Sequence, residues 1–236
     1  MRVKSLALTS FWTALCCLSS LVLANISVSP LEINLLTNKL GLNTTKITIK
    51  NTNNKSIFVH IIPFAIKNPG EKPIIKKRLK PAELGLLVSP RQMVLAPLEQ
   101  KKVRVSYIAS GSLKHDLLFT IQITPQNGTP YMKKKDNLET GVSIQIGYET
   151  LLIVRPIKMN RLIEIKRIKK KGVCRNLGNT TTDLINGKQC LQKECHNLPS
   201  LRLYSGQIKE IKLPFEAPFS YQIIVMDKKA RNLKSN

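Results

Sequence analysis

The chain has few aromatic residues and no recognisable arrangement of catalytic side chains. Phe, Trp and Tyr make up 5% of its 236 residues, and the three histidines His60, His115 and His196 are far apart in the sequence. No serine–histidine, metalloprotease, paired-carboxylate or phosphate-cradling glycine pattern is present. We therefore predict that the protein is not an enzyme and uses no cofactor.

Acidic residues are also scarce, with 14 Asp and Glu against 38 Lys and Arg and a formal charge of +24. Such an excess suggests nucleic acid, anionic lipid or an acidic protein as a partner. The basic residues are spread over several short runs, however, and few aromatic residues that could stack on bases stand among them. We predict that most of these cations belong to a solvated surface and that the protein does not bind nucleic acid.

Only the N-terminus contains a long hydrophobic run. Arg2 and Lys4 precede an apolar segment without acidic residues that ends at Ala24, which is the pattern of a cleavable signal peptide over residues 1–24. The alternative is a membrane anchor, but the run is short and is interrupted by Ser and Thr. No later segment is long enough to span a bilayer. We expect an exported protein without stable membrane insertion.

Three cysteines follow the predicted signal peptide: Cys174, Cys190 and Cys195. Exported proteins fold in an oxidising compartment, so a disulfide is expected. Cys190 and Cys195 would close a short loop and form the preferred pair, although Cys174 could compete for Cys190. His196 suggests a metal ligand, but no second His or Cys-x-x-Cys pair completes a site, and no metal is predicted.

Helical periodicity is absent, and short apolar or alternating runs between turn residues predict an all-β protein. Residues 25–155 contain about eight such runs, the number expected for one immunoglobulin-like sandwich. Runs in this part are predicted at residues 26–35, 47–49, 57–66, 86–88, 93–95, 102–108, 117–124 and 141–156. We place a domain boundary at Arg155-Pro156, followed by a smaller β-domain over 156–236 with a turn at Asn186-Gly187.

The stretch from Gly141 to Pro156 is the most informative one. Its first half alternates apolar and polar residues, which is typical of a strand with one apolar face. Its second half, from Leu151 to Val154, is continuously apolar and predicts a strand buried on both faces. The side chains of Val142, Ile144 and Ile146 form an apolar row. This row is either part of the domain's own core or a binding surface.

Several segments, in this order, resemble the periplasmic chaperones of chaperone–usher pili. They are Leu87–Leu95, the strand around Val103-Arg104-Val105, the stretch from Val142 to Pro156, and Asn176-Leu177-Gly178-Asn179-Thr180. Asn51 at the end of a strand also fits. The Asn-x-Gly-Asn motif and the following cysteine loop are most similar to the divergent alpha-type common-pilus branch.

This resemblance implies two immunoglobulin-like β-sandwich domains arranged as a boomerang. Chaperones of this kind stabilise pilus subunits by donor-strand complementation, an addition of one strand to an open sheet edge. By the resemblance, Val142, Ile144 and Ile146 are the donated side chains, which would lie about 6.7 Å apart on one face.

Two further roles are implied by the resemblance. The better-known branch anchors the subunit's terminal carboxylate with an Arg and a Lys, and the Lys position falls at Leu151 here. Arg91, Lys102 and Arg104 are the candidate anchors instead. Arg155 matches a residue that fixes the interdomain angle, and Asp227 is the predicted acidic partner of a solvated pair.

The resulting prediction is a periplasmic chaperone that holds pilus subunits for an outer-membrane usher. The alternative is an exported two-domain structural or adhesive surface protein, itself part of a pilus. A third possibility is an exported protein that binds anionic lipid or polysaccharide through its positive charge.

Overall fold

The computed structural model describes residues 25–37, 42–108, 112–126, 145–225 and 228–235. Within these ranges the only helical element is a single 3-10 turn at Glu83–Gly85. All other regular structure is β-strand, so the all-β prediction is confirmed. The signal peptide predicted over residues 1–24 lies outside the described residues.

Ten strands form the first half of the described chain. They are β1 (Ile26–Ser29), β2 (Glu32–Leu36), β3 (Leu42–Asn51), β4 (Ile57–Ile66), β5 (Lys76–Arg78), β6 (Leu86–Ser89), β7 (Gln92–Leu95), β8 (Gln100–Ile108), β9 (Leu117–Gln126) and β10 (Tyr148–Arg155). One sheet has the order β1-β3-β8-β6, and the other has the order β2-β10-β9-β4-β5 with β7 beside β4. Their inward-facing side chains, such as Ile47, Val105, Ile121 and Leu152, share one buried cluster. This is a two-layer sandwich.

Eight strands form the second half. They are β11 (Ile163–Ile168), β12 (Lys171–Asn176), β13 (Thr182–Leu191), β14 (Glu194–Leu198), β15 (Leu201–Leu203), β16 (Ile208–Lys212), β17 (Phe219–Val225) and β18 (Lys228–Lys234). A three-stranded sheet β11-β12-β16 faces a sheet of order β14-β13-β17-β18 with β15 beside β13. A separate apolar cluster that includes Leu184, Phe219 and Tyr221 fills the space between them. The chain therefore contains two sandwiches, each with its own core.

The prediction of a single strand over residues 26–35 is wrong in one respect. The structure divides it at Pro30 into β1, which pairs with β3, and β2, which pairs with β10 in the other sheet. Proline has no backbone N–H and cannot continue a hydrogen-bonded ladder. The chain therefore changes sheets at Pro30.

The turn predicted at Asn186-Gly187 is also wrong, because both residues lie inside the long strand β13. The pairing of β13 with β17 shifts between Ile185 and Lys188, which is the signature of a β-bulge. Asn186 has a φ of +50°, and a Cβ on Gly187 would lie 2.3 Å from the Tyr221 ring. Asparagine and glycine are needed here for a bulge and a close contact rather than for a hairpin.

Asn51, at the end of β3, ties three loop carbonyls together in the first sandwich. Its fully buried Nδ2 donates to the carbonyls of Lys55, Leu95 and Ala96 at 2.8–3.2 Å. Its Oδ1 accepts a hydrogen bond from the Asn53 N–H at 2.9 Å. The side chain thus satisfies backbone groups that no strand could pair.

Asn176, at the end of β12, has the same role in the second sandwich. Its Nδ2 donates to the carbonyls of Thr180 and Leu203 at 2.9 and 3.0 Å. Its Oδ1 accepts a hydrogen bond from the Gly178 N–H at 2.9 Å. The first asparagine of the Asn-x-Gly-Asn motif therefore fixes the conformation of this loop through buried hydrogen bonds.

Candidate functional site

Strand β10 has an open edge in its first half. Towards β9 it pairs from Tyr148 to Val154, whereas towards β2 it pairs only from Leu151 to Arg155. The edge of residues 148–150 that faces β2 has no paired strand in the described part of the chain. The cause is the sheet change at Pro30, since β2 begins at Glu32 beside Leu151 and leaves the preceding residues of β10 uncovered.

The hydrogen bonds around Leu151 identify which backbone groups lie on that open edge. The Leu151 N–H donates to the Leu31 carbonyl at 2.8 Å, and the Arg155 carbonyl accepts from the Thr37 N–H at 3.0 Å. Because backbone groups alternate sides along a strand, the odd-numbered residues of β10 face β2. The N–H and C=O of Glu149 therefore point away from β9, towards the uncovered side.

The apolar row of β10 continues the core row of the first sandwich. Leu152 and Val154 are fully buried in that core, and Tyr148 packs against it. Ile146 has the same parity and is 39% exposed. Val142 and Ile144 lie outside the described residues, so their predicted role as donated side chains stays a prediction. The observed core row therefore begins at Tyr148, and Ile146 is an exposed side chain just before it.

The predicted strand is longer than the observed one. β10 begins at Tyr148, and the described residues 145–147 before it belong to no strand. Beside them β9 pairs only with β4, because the pairing of β9 with β10 ends at Ile123. The prediction of a doubly buried second half is confirmed for Leu152, Ile153 and Val154, which are fully buried, whereas Leu151 is half-buried.

Two predicted carboxylate anchors lie far from this edge in the fold. Lys102 and Arg104 are exposed on β8, on the outer face of the β1-β3-β8-β6 sheet, whereas β10 belongs to the other sheet. Together with Lys46 and Ser89 they line a surface depression of about 470 Å³. The structure thus brings these two cations together, but not to the β10 edge.

The third predicted anchor, Arg91, lies in the turn between β6 and β7, next to β4 on the far side of the β10 sheet. The Arg91 carbonyl accepts a hydrogen bond from the Ile61 N–H on β4. Its Nη1 donates to the Leu79 carbonyl at 3.2 Å, and its Nη2 is buried with no hydrogen-bond partner in the described part of the chain. Arg91 therefore retains an unused donor, two strands away from β10.

Arg155, the last residue of β10, joins the two sandwiches through a buried network. Its Nε and Nη2 donate to Asn34 Oδ1 at 2.9 and 2.7 Å. Its Nη1 contacts Asp116 Oδ2 at 3.3 Å, Thr180 Oγ1 at 2.6 Å and the Thr181 carbonyl at 2.9 Å. Burial lowers the pKa of Arg155 and the charge of Asp116 raises it, but a guanidinium stays charged in proteins.

Asp116 is the acidic partner that sequence reasoning missed. It belongs to the loop between β8 and β9, and its Oδ2 also accepts from the Thr180 hydroxyl and the Thr181 N–H. Asp227, the predicted partner of Arg155, lies outside the described residues, so that pair stays a prediction. Unlike the solvated pair that was expected, the pair of Arg155 with Asp116 is almost completely buried.

A second link between the sandwiches lies directly beside Leu151. Glu32, its partner in β2, forms an ion pair with Arg202 on β15, with Nη1 and Oε2 2.8 Å apart. Arg202 also binds Asp183 on β13 at 2.7 Å. Hydrogen bonding to Asp183 raises the pKa of Arg202 further. Arg202 therefore binds the residue that pairs with Leu151, the position where the resemblance leads one to expect a lysine.

The cysteine pairing predicted from the sequence is confirmed. Cys190 and Cys195 lie opposite each other on β13 and β14 and form a disulfide. Cys174 is free and buried in the second core, and burial raises the pKa of its thiol to about 11. Among the described residues no group of His, Cys, Asp and Glu could hold a metal ion. In the same residues, no helix has the length and apolar character needed to cross a bilayer.

Comparison with solved structures finds the same fold in pilus chaperones. The class 5 fimbriae chaperone CfaA has a TM-score of 0.68 and 19% identity, covering 89% of this chain and 97% of that one. A chaperone–tip adhesin complex of CFA/I fimbriae biogenesis has a TM-score of 0.64 and 17% identity, covering 90% and 99%.

A more distant structure is the CsuC–CsuE chaperone–tip adhesion subunit pre-assembly complex of Acinetobacter baumannii, which has a TM-score of 0.57 and 13% identity and covers 90% and 98%. No curated protein sequence matches the chain. The model of one family, the CS5 fimbrial protein N-terminal domain, matches residues 34–155, which is more than half of the chain. The chain therefore belongs to the CS5 fimbrial protein N-terminal domain family.

Proposed function

We propose that the protein is a periplasmic chaperone that captures pilus subunits by donor-strand complementation and delivers them to an outer-membrane usher. The observation that carries the proposal is the open edge of β10 ahead of Leu151. An incoming strand can pair with this edge by main-chain hydrogen bonds, as in other cases of strand addition. Membership of a fimbrial family and the shared fold of the chaperones described above support the same function.

The donated side chains are proposed to be Val142, Ile144 and Ile146. Ile146 is partly exposed and shares the parity of the core residues Leu152 and Val154. A subunit that lacks one strand has an open core, and this row would extend the core of the chaperone into it. Full burial would contribute roughly 1.5–3 kcal/mol for each side chain.

Capture is tested by co-expression of the protein with the pilus subunits encoded beside it. The protein should co-purify with a subunit in a one-to-one complex, and Ile146→Asp should abolish the complex while leaving the melting temperature of the free protein unchanged. Ile168→Asp is the matched control, because Ile168 is 58% exposed on β11 in the second sandwich. It should retain the complex.

A lower melting temperature for Ile146→Asp, similar to that of the core variant Leu152→Asp, would mean that Ile146 belongs only to the protein's own core. If no neighbouring subunit forms a complex with the protein, the proposal is wrong. The alternative of a structural or adhesive pilus component predicts instead that the protein itself is found in assembled pili.

For the subunit's terminal carboxylate we keep Arg91, Lys102 and Arg104 as candidate anchors. Arg91 has a buried donor without a partner in the described residues, and a carboxylate readily accepts from a guanidinium. Each residue is changed to Gln and tested against a normal subunit and one extended past its C-terminus. The anchor is the residue whose change weakens capture of the normal subunit only.

The same proposal includes the domain organisation of the protein and its location in the cell. We place a signal peptide at residues 1–24, the subunit-binding domain at 25–155 and a smaller domain at 156–236. Mass spectrometry of protein from the periplasmic fraction should find a mature N-terminus at Asn25. A chain that retains residues 1–24 in the membrane fraction would contradict this location.

A further inference from the structure

The outer face of the β1-β3-β8-β6 sheet carries an unbalanced positive charge. The four strands contain no Asp or Glu. Lys46, Lys50, Lys102 and Arg104 project from this face and are exposed. None of the four side chains has a hydrogen bond or ion pair with another residue in the described part of the chain. We call these four residues the basic face.

The strand register places like charges directly against each other. Lys46 on β3 is the cross-strand partner of Arg104 on β8, and Arg104 is in turn opposite Ser89 on β6. Opposed like charges destabilise a sheet. Because Lys46, Ser89, Lys102 and Arg104 also line one depression of about 470 Å³, an anion bound there would relieve the repulsion.

The exposed sheet face of the second sandwich is built differently. On β11 and β12, Glu164 pairs with Lys166 at 2.8 Å and with Arg175 at 3.8 Å. Lys171 pairs with Glu210 on β16 at 3.2 Å. Three cations on that face are thus paired with acids of the same sheet, whereas Lys212, which lies opposite Lys171, has no acidic partner among the described residues. The basic face, where none of the four cations is paired, therefore has the larger local excess of positive charge.

The basic face also lacks the side chains that anchor a protein partner. Its other outward-facing residues include the hydroxyl residues Ser27, Ser29, Thr48 and Ser89, the half-buried Leu87, and Ile108, which is exposed at the end of β8. Protein interfaces depend on a few buried aromatic or arginine anchors in shaped pockets. A face composed mainly of exposed cations and hydroxyls instead suits a partner that presents many equivalent negative groups.

We propose that the basic face docks the protein reversibly on the phosphate headgroups of an anionic phospholipid surface. The contact is electrostatic and peripheral, without insertion into the bilayer. A cation held close to such a surface contributes about fivefold to binding. Three cations that act together therefore contribute on the order of 100-fold, and salt should weaken the contact steeply because it screens charges beyond about 10 Å at 0.1 M.

The test is sedimentation of the full mature protein with vesicles of equal parts phosphatidylglycerol and phosphatidylcholine. The protein should bind these vesicles at low salt and not bind vesicles of phosphatidylcholine alone. The variant Lys46→Gln/Lys102→Gln/Arg104→Gln should lose binding by on the order of 100-fold. Inorganic phosphate at millimolar concentration should not displace the protein, since a single phosphate replaces only part of a multivalent contact.

The matched control is Lys166→Gln/Lys171→Gln/Arg175→Gln, which removes the same number of charges from the β11-β12-β16 sheet, where these three cations are paired with acids. It should retain most of the binding. Equal losses in the two triple variants would mean that net charge alone attracts the protein, and the proposal would be wrong. Absence of binding to the anionic vesicles, together with binding of the wild type to an acidic peptide, would assign the basic face to a protein partner and also overturn it.

Discussion

Arg155 Nη1 and Asp116 Oδ2 lie 3.3 Å apart, and their side chains are only 4% and 1% exposed. Arg155 ends β10, whereas Asp116 is fixed by a hydrogen bond from its own N–H to the Asn179 carbonyl in the second sandwich. The pair therefore connects the strand that carries the candidate binding edge to the loop of the other sandwich.

Removal of Asp116 should be strongly destabilising. In Asp116→Ala, Arg155 would remain a buried cation without its acidic partner, and the Thr181 N–H would lose its acceptor. Breaking one partner of a buried pair costs about 3–5 kcal/mol. Urea denaturation of Asp116→Ala measures the loss. Glu210→Ala is the control, because the pair of Lys171 and Glu210 is well exposed and such pairs contribute little.

Asn176→Leu should destabilise the second sandwich and loosen the contact with the first. Leucine has a similar volume but leaves the Thr180 and Leu203 carbonyls and the Gly178 N–H without their present partner. A buried group left unpaired costs about 1–3 kcal/mol. Urea denaturation should show a lowered midpoint. An unchanged midpoint would mean that the loop satisfies these groups by other contacts.

Loss of the Cys190–Cys195 disulfide should lower the free energy of unfolding moderately. The bridge closes a short loop, for which the chain-entropy relation gives about 2 kcal/mol. The double variant Cys190→Ser/Cys195→Ser should lose about this much stability relative to the oxidised wild type. Reducing agent should destabilise the wild type and leave the double variant unchanged; equal effects on both proteins would contradict the assignment.

Alkaline conditions should destabilise the protein between about pH 9 and 11. Burial raises the pKa of the Cys174 thiol from 9.0 to about 11, and burial also raises the pKa of Tyr221. In that range the unfolded chain releases a proton from the thiol that the folded chain retains, so the free energy of unfolding falls as pH rises. Denaturation at several pH values should show this slope, and Cys174→Ala should reduce it.

The alternation of apolar and polar residues predicted some strands with their observed bounds. It failed where a proline divides a strand and where the sequence of a strand is mostly polar. Ile57–Ile66 was predicted with its observed bounds because turn residues flank a regular alternation. The division at Pro30 was missed because the apolar pattern continues through it. β14 and β18 were missed because their sequences are polar and do not alternate clearly.

The interdomain network could not be read from the sequence. Arg155 is 39 residues from Asp116 in the chain, and the pairing of β9 with β10, which places Val154 opposite Leu117, brings them together. The open edge of β10 could not be predicted either, since it depends on where β2 begins to pair with β10. By contrast, the disulfide was predictable, because the two cysteines are close in sequence and the compartment is oxidising.

Hydrogen exchange at the Glu149 amide tests the central claim most directly. In the free protein this N–H points to the uncovered side of β10, whereas the neighbouring Thr150 lies in the ladder with β9. We expect fast exchange at Glu149 in the free protein, strong protection in the complex with a pilus subunit, and protection of Thr150 in both states. Unchanged fast exchange at Glu149 in a stable complex would contradict strand addition at this edge.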